Sequence, residues 1–419
     1  MRRTSLVACT LLALTSLDAG TAVLAGTQPP PSPQSPVVVG GGSSLAAPMY
    51  AAEISAFGPN HIYAVTSDGV GKGSLVNNDP NWWKQGESGS FNSAYVTPRT
   101  DTVVHYAGSD SILNSVDISS FSPRRGTDGE IVQIPSMGVA IGIPFKKDGV
   151  ISLTLNDNQL CGIFSGKITD WSAIANTASG PIAVVYRKDS SGATEIFTRH
   201  LNAVCTTGSS GNSNVAFVTS TRFEDSFLPP YSVPTNFTGV TLSEGMRDAV
   251  SQGNAIGYLS PAYINTTLAP LSTVATQNLS AASLTNSNNS VTYAPTAAST
   301  TLALTNLTLP TLSSNLADPN TWALTVANPA TGYPISGLTY LDHVQCYADA
   351  TVLNKILTFL DRHTTYPGAN TNLPRIINTG FVALPRGLLT LVRDNLLNNV
   401  NGKNVNIGNT TACAGKAGR

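Results

Sequence analysis

Residues 182–205 have the sequence IAVVYRKDSSGATEIFTRHLNAVC, which joins two apolar patterns. The first five residues are β-branched, small or aromatic, as in a buried strand. In the second half, Phe197, Leu201 and Val204 recur at the spacing of one helix face. The segment therefore predicts a strand, a tight turn and a helix, the local pattern of an α/β protein.

The turn at residues 187–193 has the features of an anion site. It opens directly into the helix, where first-turn amides lack intrahelical acceptors and the helix dipole places partial positive charge. Ser190 and Ser191 add hydroxyl donors, and Gly192 lets a ligand approach the backbone. Arg187 offers a planar fork for a tetrahedral oxyanion.

Asp189, two residues after that arginine, is open to two interpretations. It is placed to hold the Arg187 fork in position. However, Asp-Ser-Ser before a helix is also typical of ordinary N-capping, without any ligand. The turn alone does not distinguish a binding site from a cap, so other segments have to decide.

The N-terminal residues predict export. Arg2 and Arg3 precede a short apolar run that ends near Leu17, and cleavage is expected after Ala25. Residues 1–25 are thus predicted to be a signal peptide and residues 26–36 a proline-rich tether. No later stretch reaches about 18 uninterrupted apolar residues, so we expect a soluble periplasmic or secreted protein without membrane insertion.

Composition and cysteine count agree with export. Only 11% of residues are charged and the net charge is −1, which gives no indication of a nucleic-acid partner. Four cysteines follow the predicted signal peptide: Cys161, Cys205, Cys346 and Cys413. They predict two disulfides, for which three pairings are possible. Their spacing does not suggest a metal site, and we predict no metal and no cofactor.

Three further segments end a short strand in small or hydroxyl residues. They are VVVGGGSSLAAP at 37–48, TSDGVGKG at 66–73 and VVHYAGSDS at 103–111. In an open α/β sheet, ligands collect at the carboxyl ends of the strands. We therefore expect these turns and the turn at 187–193 to converge on one small anion.

Three of these turns resemble segments of a known protein family. GSSLAAP at 42–48, AGSD at 107–110 and RKDSSG at 187–192 resemble the phosphate-gripping segments of periplasmic phosphate-binding proteins for ABC-type uptake. Within that superfamily the chain looks like the DING proteins, which are secreted phosphate binders. Further parallels are HYAGSDS at 105–111, LCGIFSG at 160–166, FTRHLNA at 197–203, QCYADA at 345–350 and IGN at 407–409. VVVG at 37–40 replaces the Asp-Ile-Asn-Gly that names the family.

The resemblance implies an α/β fold of the two-lobed periplasmic-binding-protein type, type II, with a ligand cleft between lobes joined by two crossing strands. Lobe one would comprise residues 37–135 and 337–419, and lobe two residues 136–336. The crossings are expected near residues 133–145 and 333–340. Amphipathic helices are expected at 350–363 and 386–397, and residues 264–320 as a long irregular or partly strand-paired excursion.

The resemblance also implies a binding site for inorganic phosphate. Its residues would be Ser44, the amide of Leu45, Asp110, Arg187, Ser191 and Gly192, with Asp189 orienting Arg187. Asp110 has a physical rationale of its own, because hydrogen phosphate can donate to a buried carboxylate whereas ionised sulfate cannot. We expect a monomer that binds phosphate for uptake or scavenging, with an ABC phosphate permease as a candidate partner.

Two positions depart from the family pattern. Asp68 stands where a serine is usual, and Ala193 stands where a threonine is usual but still supplies an amide. Because two neighbouring carboxylates disfavour joint ionisation, Asp68 beside Asp110 leaves three outcomes open. In the first outcome, Asp68 turns away from the ligand and Ser67 serves as the donor. In the second, Asp68 stays protonated, and in the third, phosphate binding at neutral pH is weakened. We expect the first outcome.

The resemblance implies the disulfides Cys161–Cys205 and Cys346–Cys413. It also raises the alternative of a secreted alkaline phosphatase-like phosphomonoesterase, since some DING relatives carry phosphatase names. Metal-dependent phosphatases need clustered carboxylates and histidines, and the five histidines show no such grouping in the sequence. His200, about two turns into the predicted helix, is expected at the surface. We therefore expect a binding protein rather than an enzyme.

Overall fold

The structure, a computed structural model, describes residues 38–58, 60–85, 103–206, 211–365 and 372–419. The predicted signal peptide at 1–25 and the predicted tether at 26–36 lie outside the described residues. Within the described ranges, no helix combines the length and the apolar character that crossing a bilayer requires.

The strands form two mixed sheets. They are β1 Val38–Ser43, β2 His61–Thr66, β3 Tyr106–Ser109, β4 Ile131–Ala140, β5 Ile143–Lys146, β6 Thr154–Leu155, β7 Ala183–Arg187, β8 Phe237–Val240, β9 Ala255–Ile256, β10 Ser280–Thr285, β11 Thr292–Tyr293 and β12 Ser336–Val344. The first sheet has the order β2-β1-β3-β12-β4. The second has the order β11-β10-β5-β9-β7-β8, and β6 pairs with β10. Each sheet is the centre of one lobe.

Helices connect the strands and pack on the sheets. They are α1 Ala47–Phe57, α2 Asp68–Asn77, α3 Trp82–Gln85, α4 Ser115–Phe121, α5 Arg125–Asp128, α6 Asp157–Phe164, α7 Gly192–Val204, α8 Leu242–Ser251, α9 Pro261–Ile264, α10 Ala297–Leu304, α11 Ala350–His363, α12 Leu373–Asn378 and α13 Arg386–Val392. A π-helical turn, Arg393–Leu397, extends α13. The helices predicted at 350–363 and 386–397 are thus present.

Two stretches of chain pass between the sheets. The first lies between β4 and β5, and the second leads into β12. They run side by side, because the Ile141 amide donates to the Ile335 carbonyl at 2.8 Å. Both crossings fall within the predicted ranges. The exact lobe boundaries stay a prediction.

Strand β1 brings the first loop to the cleft. It is buried throughout and parallel to both β2 and β3, so the carboxyl ends of all three strands lie at one edge. Gly42 has a φ of 142°, and a Cβ there would lie 2.1 Å from the Gly108 carbonyl oxygen. Only glycine fits this approach, and the chain consequently leaves β1 at Ser43 beside the end of β3.

The two implied disulfides are both present. Cys161 in α6 bonds to Cys205 just after α7, and Cys346 after β12 bonds to Cys413 near the C-terminus. The pairs are separated by 44 and 67 residues, so each closes a long loop in the unfolded chain. A loop-entropy argument assigns each a contribution of about 3 to 5 kcal/mol.

The segment at 264–320 is partly strand-paired, the second of the two alternatives that we predicted, and it also contains a helix that we did not predict. Strands β10 and β11 pair antiparallel, and β10 also pairs with β5 at the edge of the second sheet. Helix α10 follows, with Thr296 accepting the Ser299 amide in a capping box. The Ser/Thr/Asn-rich composition hides these elements because their apolar periodicity is weak.

Candidate functional site

Four loops meet between the sheets. The loops after β1 and β3 and the start of α2 come from the first sheet, and the turn between β7 and α7 comes from the second. β7 is parallel to both β8 and β9, so this turn also lies at the carboxyl end of parallel strands. This is the position at which open α/β sheets bind ligands.

Arg187, the last residue of β7, is the buried cation of the site. Its side chain is 2% exposed, and Asp189 accepts from Nε at 2.6 Å and from Nη2 at 2.5 Å. Burial lowers the pKa of Arg187, but the charge and hydrogen bonds of Asp189, together with the more distant charge of Asp68, outweigh burial and the net pKa is raised. Because Asp189 occupies one edge of the guanidinium, Nη1 points to the first loop, 3.5 Å from the Ser44 hydroxyl oxygen.

The start of α8 supports this arrangement through a strained residue. Leu242 has a φ of 60°, unusual for a bulky side chain and costing about 1 to 3 kcal/mol. Its amide donates to Asp189 at 3.2 Å, and the next amide, of Ser243, donates to the Ser44 hydroxyl at 3.1 Å. The left-handed residue therefore aims two consecutive amides at two members of the site.

Ser44 joins the first loop to the second lobe. Besides the Ser243 amide, its hydroxyl lies 3.0 Å from the Ser243 hydroxyl, and its carbonyl accepts from the Tyr263 hydroxyl at 2.5 Å. Sequence reasoning missed Ser243 and Tyr263 because they lie 199 and 219 residues away along the chain. No local motif marks either residue.

Asp110, directly after β3, is a buried carboxyl with one free oxygen. Oδ2 accepts from the Ser43 hydroxyl at 2.6 Å, while Oδ1 has no partner in the part of the chain that the structure describes. Burial, and then the nearby charge of Asp68, raise the pKa of Asp110 well above 3.8. Such a group can accept a hydrogen bond when ionised or donate one when protonated.

Asp68 turns into the site, so our prediction that it turns away is wrong. Its Oδ1 accepts from the Asp110 amide at 2.5 Å and from the Ser109 hydroxyl at 3.0 Å. Its Oδ2 accepts from the Gly192 amide at 2.8 Å. These three charge-assisted hydrogen bonds stabilise the inward orientation of the Asp68 carboxylate.

Ser67 precedes α2 directly beside Asp68. It is the N-cap of α2, and its hydroxyl accepts from the Val70 amide at 3.4 Å. This contact uses the hydroxyl oxygen as an acceptor and leaves its hydrogen available, so the predicted role of Ser67 as a donor to the anion stays a prediction. A serine before a helix most often has this local function.

The first turn of α7 lies against Asp110. A Cβ at Gly192 would lie 2.3 Å from the Asp110 carbonyl carbon, so the close approach requires glycine. The hydroxyl of Ser191 is buried and has no partner among the described residues. Ala193 is buried beside it. Thr194, which sequence reasoning missed, shares a 2.8 Å hydrogen bond with Tyr258.

His200 is buried, not at the surface as we predicted. It is 1% exposed, its Nδ1 lies 3.0 Å from the Ala327 carbonyl oxygen and its Nε2 lies 3.4 Å from Asp157. The prediction failed because α7 is covered on a second side by the segment around Ala327, which the helix sequence cannot reveal. Across the described ranges, no group of three or more His, Cys, Asp or Glu side chains could hold a metal ion.

The family model for the PBP superfamily domain matches residues 27–355. The chain belongs to this superfamily. A superfamily relative, "Alkaline phosphatase L" of Pseudomonas aeruginosa, is 34% identical over 387 residues, 91% of this chain and 94% of the relative. A "Phosphate-binding protein" of an unknown prokaryotic organism is 36% identical over 335 residues, 76% of this chain and 86% of the relative.

A solved member of the superfamily has the same architecture. It is a high-affinity periplasmic phosphate-binding protein, PfluDING, whose structure contains bound phosphate. It is 30% identical, with a TM-score of 0.73 over 92% of this chain and 99% of that one. The predicted DING-type resemblance and the two-lobed type II fold are therefore confirmed.

Proposed function

We propose that this protein binds inorganic phosphate between its two lobes. The observation that supports this best is Arg187, a fully buried guanidinium with one edge fixed by Asp189 and the other directed at Ser44. A buried arginine held in this way is suited to a tetrahedral oxyanion. The bound phosphate of PfluDING supports the choice of anion.

The proposed contacts come from both lobes. Ser44 and the Leu45 amide would bind from the first loop, and Arg187 from the turn after β7. The Ser191 hydroxyl and the amides of Gly192 and Ala193 would bind from the start of α7, where the helix dipole favours an anion. The Ser191 hydroxyl, which has no hydrogen-bond partner among the described residues, is a donor available for this contact.

Asp110 gives the proposed site its choice between anions. Its Oδ1, which has no partner in the described part of the chain, can accept a hydrogen bond from a protonated phosphate oxygen. Sulfate has no proton to donate at neutral pH, so a buried ionised Asp110 would face it unpaired. Arsenate shares the charge, shape and protonation of phosphate and should compete with it.

We propose that the protein acts after export, in the periplasm or outside the cell. Its membership of the PBP superfamily supports such a location. Phosphate captured there would either pass to an ABC phosphate permease or be retained by scavenging. In either role the proposed lobe one is residues 37–135 with 337–419, and the proposed lobe two is residues 136–336.

Isothermal titration of ligand-stripped protein tests the binding proposal. We expect one phosphate per chain, competition by arsenate and no heat from sulfate. Equal affinity for sulfate would overturn the role of Asp110, and no phosphate binding in any condition would overturn the proposed function.

The name of the Pseudomonas aeruginosa relative supports a second candidate, a phosphomonoesterase. In this site, Ser191 beside Arg187 would be the candidate nucleophile. Incubation with p-nitrophenyl phosphate, with and without zinc and calcium, tests it. We expect no turnover. Turnover that Ser191→Ala removes would establish the enzyme instead.

A further inference from the structure

Asp68 makes contacts that a bound anion would otherwise make. The amide of Gly192 is a first-turn donor of α7, the place at which the proposed phosphate would be held, and Asp68 Oδ2 accepts from it at 2.8 Å. Oδ1 accepts from the Asp110 amide and the Ser109 hydroxyl on the other side of the cleft. The carboxylate is 1% exposed.

The same contacts connect the two sheets. Asp68 begins α2, which packs on the first sheet, whereas Gly192 begins α7, which follows a strand of the second. The hydrogen bond from the Gly192 amide to Asp68 connects residues that are 124 positions apart in the sequence. A free anion in a two-lobed protein bridges its lobes in the same manner, by accepting donors from both sides.

We propose that Asp68 is a tethered internal anion that competes with free ligand for the Gly192 amide and holds the two lobes together. This inference rests on the proposed phosphate site. Because the carboxylate is attached to the chain, its effective concentration at the amide is high and independent of the solution. Phosphate must displace it, and the measured affinity is the intrinsic affinity multiplied by the fraction of time for which Asp68 leaves the donor free.

The proposal distinguishes the two carboxylates of the cleft. Within the described ranges, Oδ1 of Asp110 has no partner and is directed at the ligand, whereas protein donors satisfy both oxygens of Asp68. Removing Asp68 should therefore strengthen binding of phosphate, and removing Asp110 should weaken it. If the two groups merely contributed negative charge, both removals would strengthen binding.

Phosphate titration of ligand-stripped Asp68→Asn and Asp68→Ser is the first test. Each variant should bind phosphate at least about tenfold more tightly than the wild type, as expected when a competitor that occupies the donor for most of the time is removed. Asp148→Asn, which removes one exposed carboxylate elsewhere, is the matched control and should leave affinity unchanged. Thermal unfolding identifies any variant that does not fold.

Small-angle scattering of the same stripped proteins is the second test. The wild type should have nearly the same radius of gyration with and without phosphate. Asp68→Ser should be larger without phosphate and contract when phosphate is added. Unchanged affinity together with an unchanged radius in both Asp68 variants would overturn the inference while leaving phosphate binding intact. If no protein binds phosphate, the proposed function fails, and the scattering comparison alone decides whether Asp68 holds the lobes together.

Discussion

The two sides of the cleft differ in whether their buried charges are paired with an opposite charge. On the second-lobe side, Arg187 and Asp189 form a closed ion pair in which each charge has a fixed partner. On the first-lobe side, Asp68 and Asp110 are two buried acids whose carboxyl groups face no cation at hydrogen-bond distance among the described residues. In the proposed function, the second-lobe side would supply a preorganised attraction for an anion, whereas the first-lobe side would restrict which anion binds.

Changing the arginine should have the largest effect on binding. Arg187→Lys keeps the charge but loses the fork that contacts Asp189 and the ligand together, so phosphate affinity should fall about 100-fold, or about 2.7 kcal/mol. Arg222→Lys, at a partly exposed arginine 3.6 Å from Glu224, is the control and should bind like the wild type. Titration calorimetry measures both, and an unaltered affinity in Arg187→Lys would remove the second-lobe side of the comparison.

Asp110→Asn should change selectivity more than affinity. Phosphate binding should weaken about tenfold, because the acceptor for its proton is replaced by a group that can also donate. Sulfate binding should become measurable, because the repulsion that excluded it is gone. The quantity to measure is the ratio of the two dissociation constants. A ratio equal to that of the wild type would show that the first-lobe side does not select the anion.

The raised pKa of Asp110 predicts a pH dependence of stability. A carboxyl whose pKa is higher in the folded than in the unfolded protein contributes stability that is fully present below the unfolded pKa and is lost as pH rises through the folded pKa. The ordinary value is 3.8 and burial is the main cause of the increase. Without phosphate, the wild type should therefore lose stability relative to Asp110→Asn as pH rises above about 4.

Urea unfolding of the wild type and of Asp110→Asn above about pH 4 measures the free energy of unfolding of each protein. The difference between the two free energies cancels the contributions of the titratable groups that both proteins share. Parallel curves would mean that Asp110 ionises equally in the folded and unfolded chains.

The smallest effect is expected at Ser191. Ser191→Ala should weaken phosphate binding about threefold to fivefold, the equivalent of one modest hydrogen bond, without lowering stability. Ser190→Ala is the matched control, because the Ser190 hydroxyl already donates to Thr221 at 3.0 Å. If both variants bind equally well, the unpartnered Ser191 hydroxyl does not contact the ligand.

The sequence predicts those parts of the site that are local in the chain. The turn at 187–193 lies between a strand and a helix with strong apolar periods, so its position and the proximity of Arg187 to Asp189 follow from a short segment. The lobes, the disulfide pairing and the placement of Asp110 in the site needed the family resemblance, although the preference of a buried carboxylate for hydrogen phosphate over sulfate follows from chemistry alone. These features depend on pairings that no single segment specifies.

The orientation of Asp68 could not be predicted because it results from a competition between distant donors. The glycine-rich sequence at the start of α2 indicates that a one-residue shift, which would turn Asp68 away from the ligand, costs little. The deciding donor is the Gly192 amide, 124 residues away. The burial of His200 and the contacts of Ser243 depend on tertiary packing in the same way.

The order of strands in the first sheet has a consequence for how the cleft is made. β12 is the last strand among the described residues, yet it lies between β3 and β4 and pairs with both. All strands of the second sheet lie between residues 143 and 293, so a chain synthesised from its N-terminus has that whole sheet available first. Until residues 336–344 have emerged, β3 and β4 remain separate edges with unpaired backbone groups. The first sheet, which contains β1, is therefore completed after the second sheet. The cleft between the two sheets can form only when β12 has paired with β3 and β4.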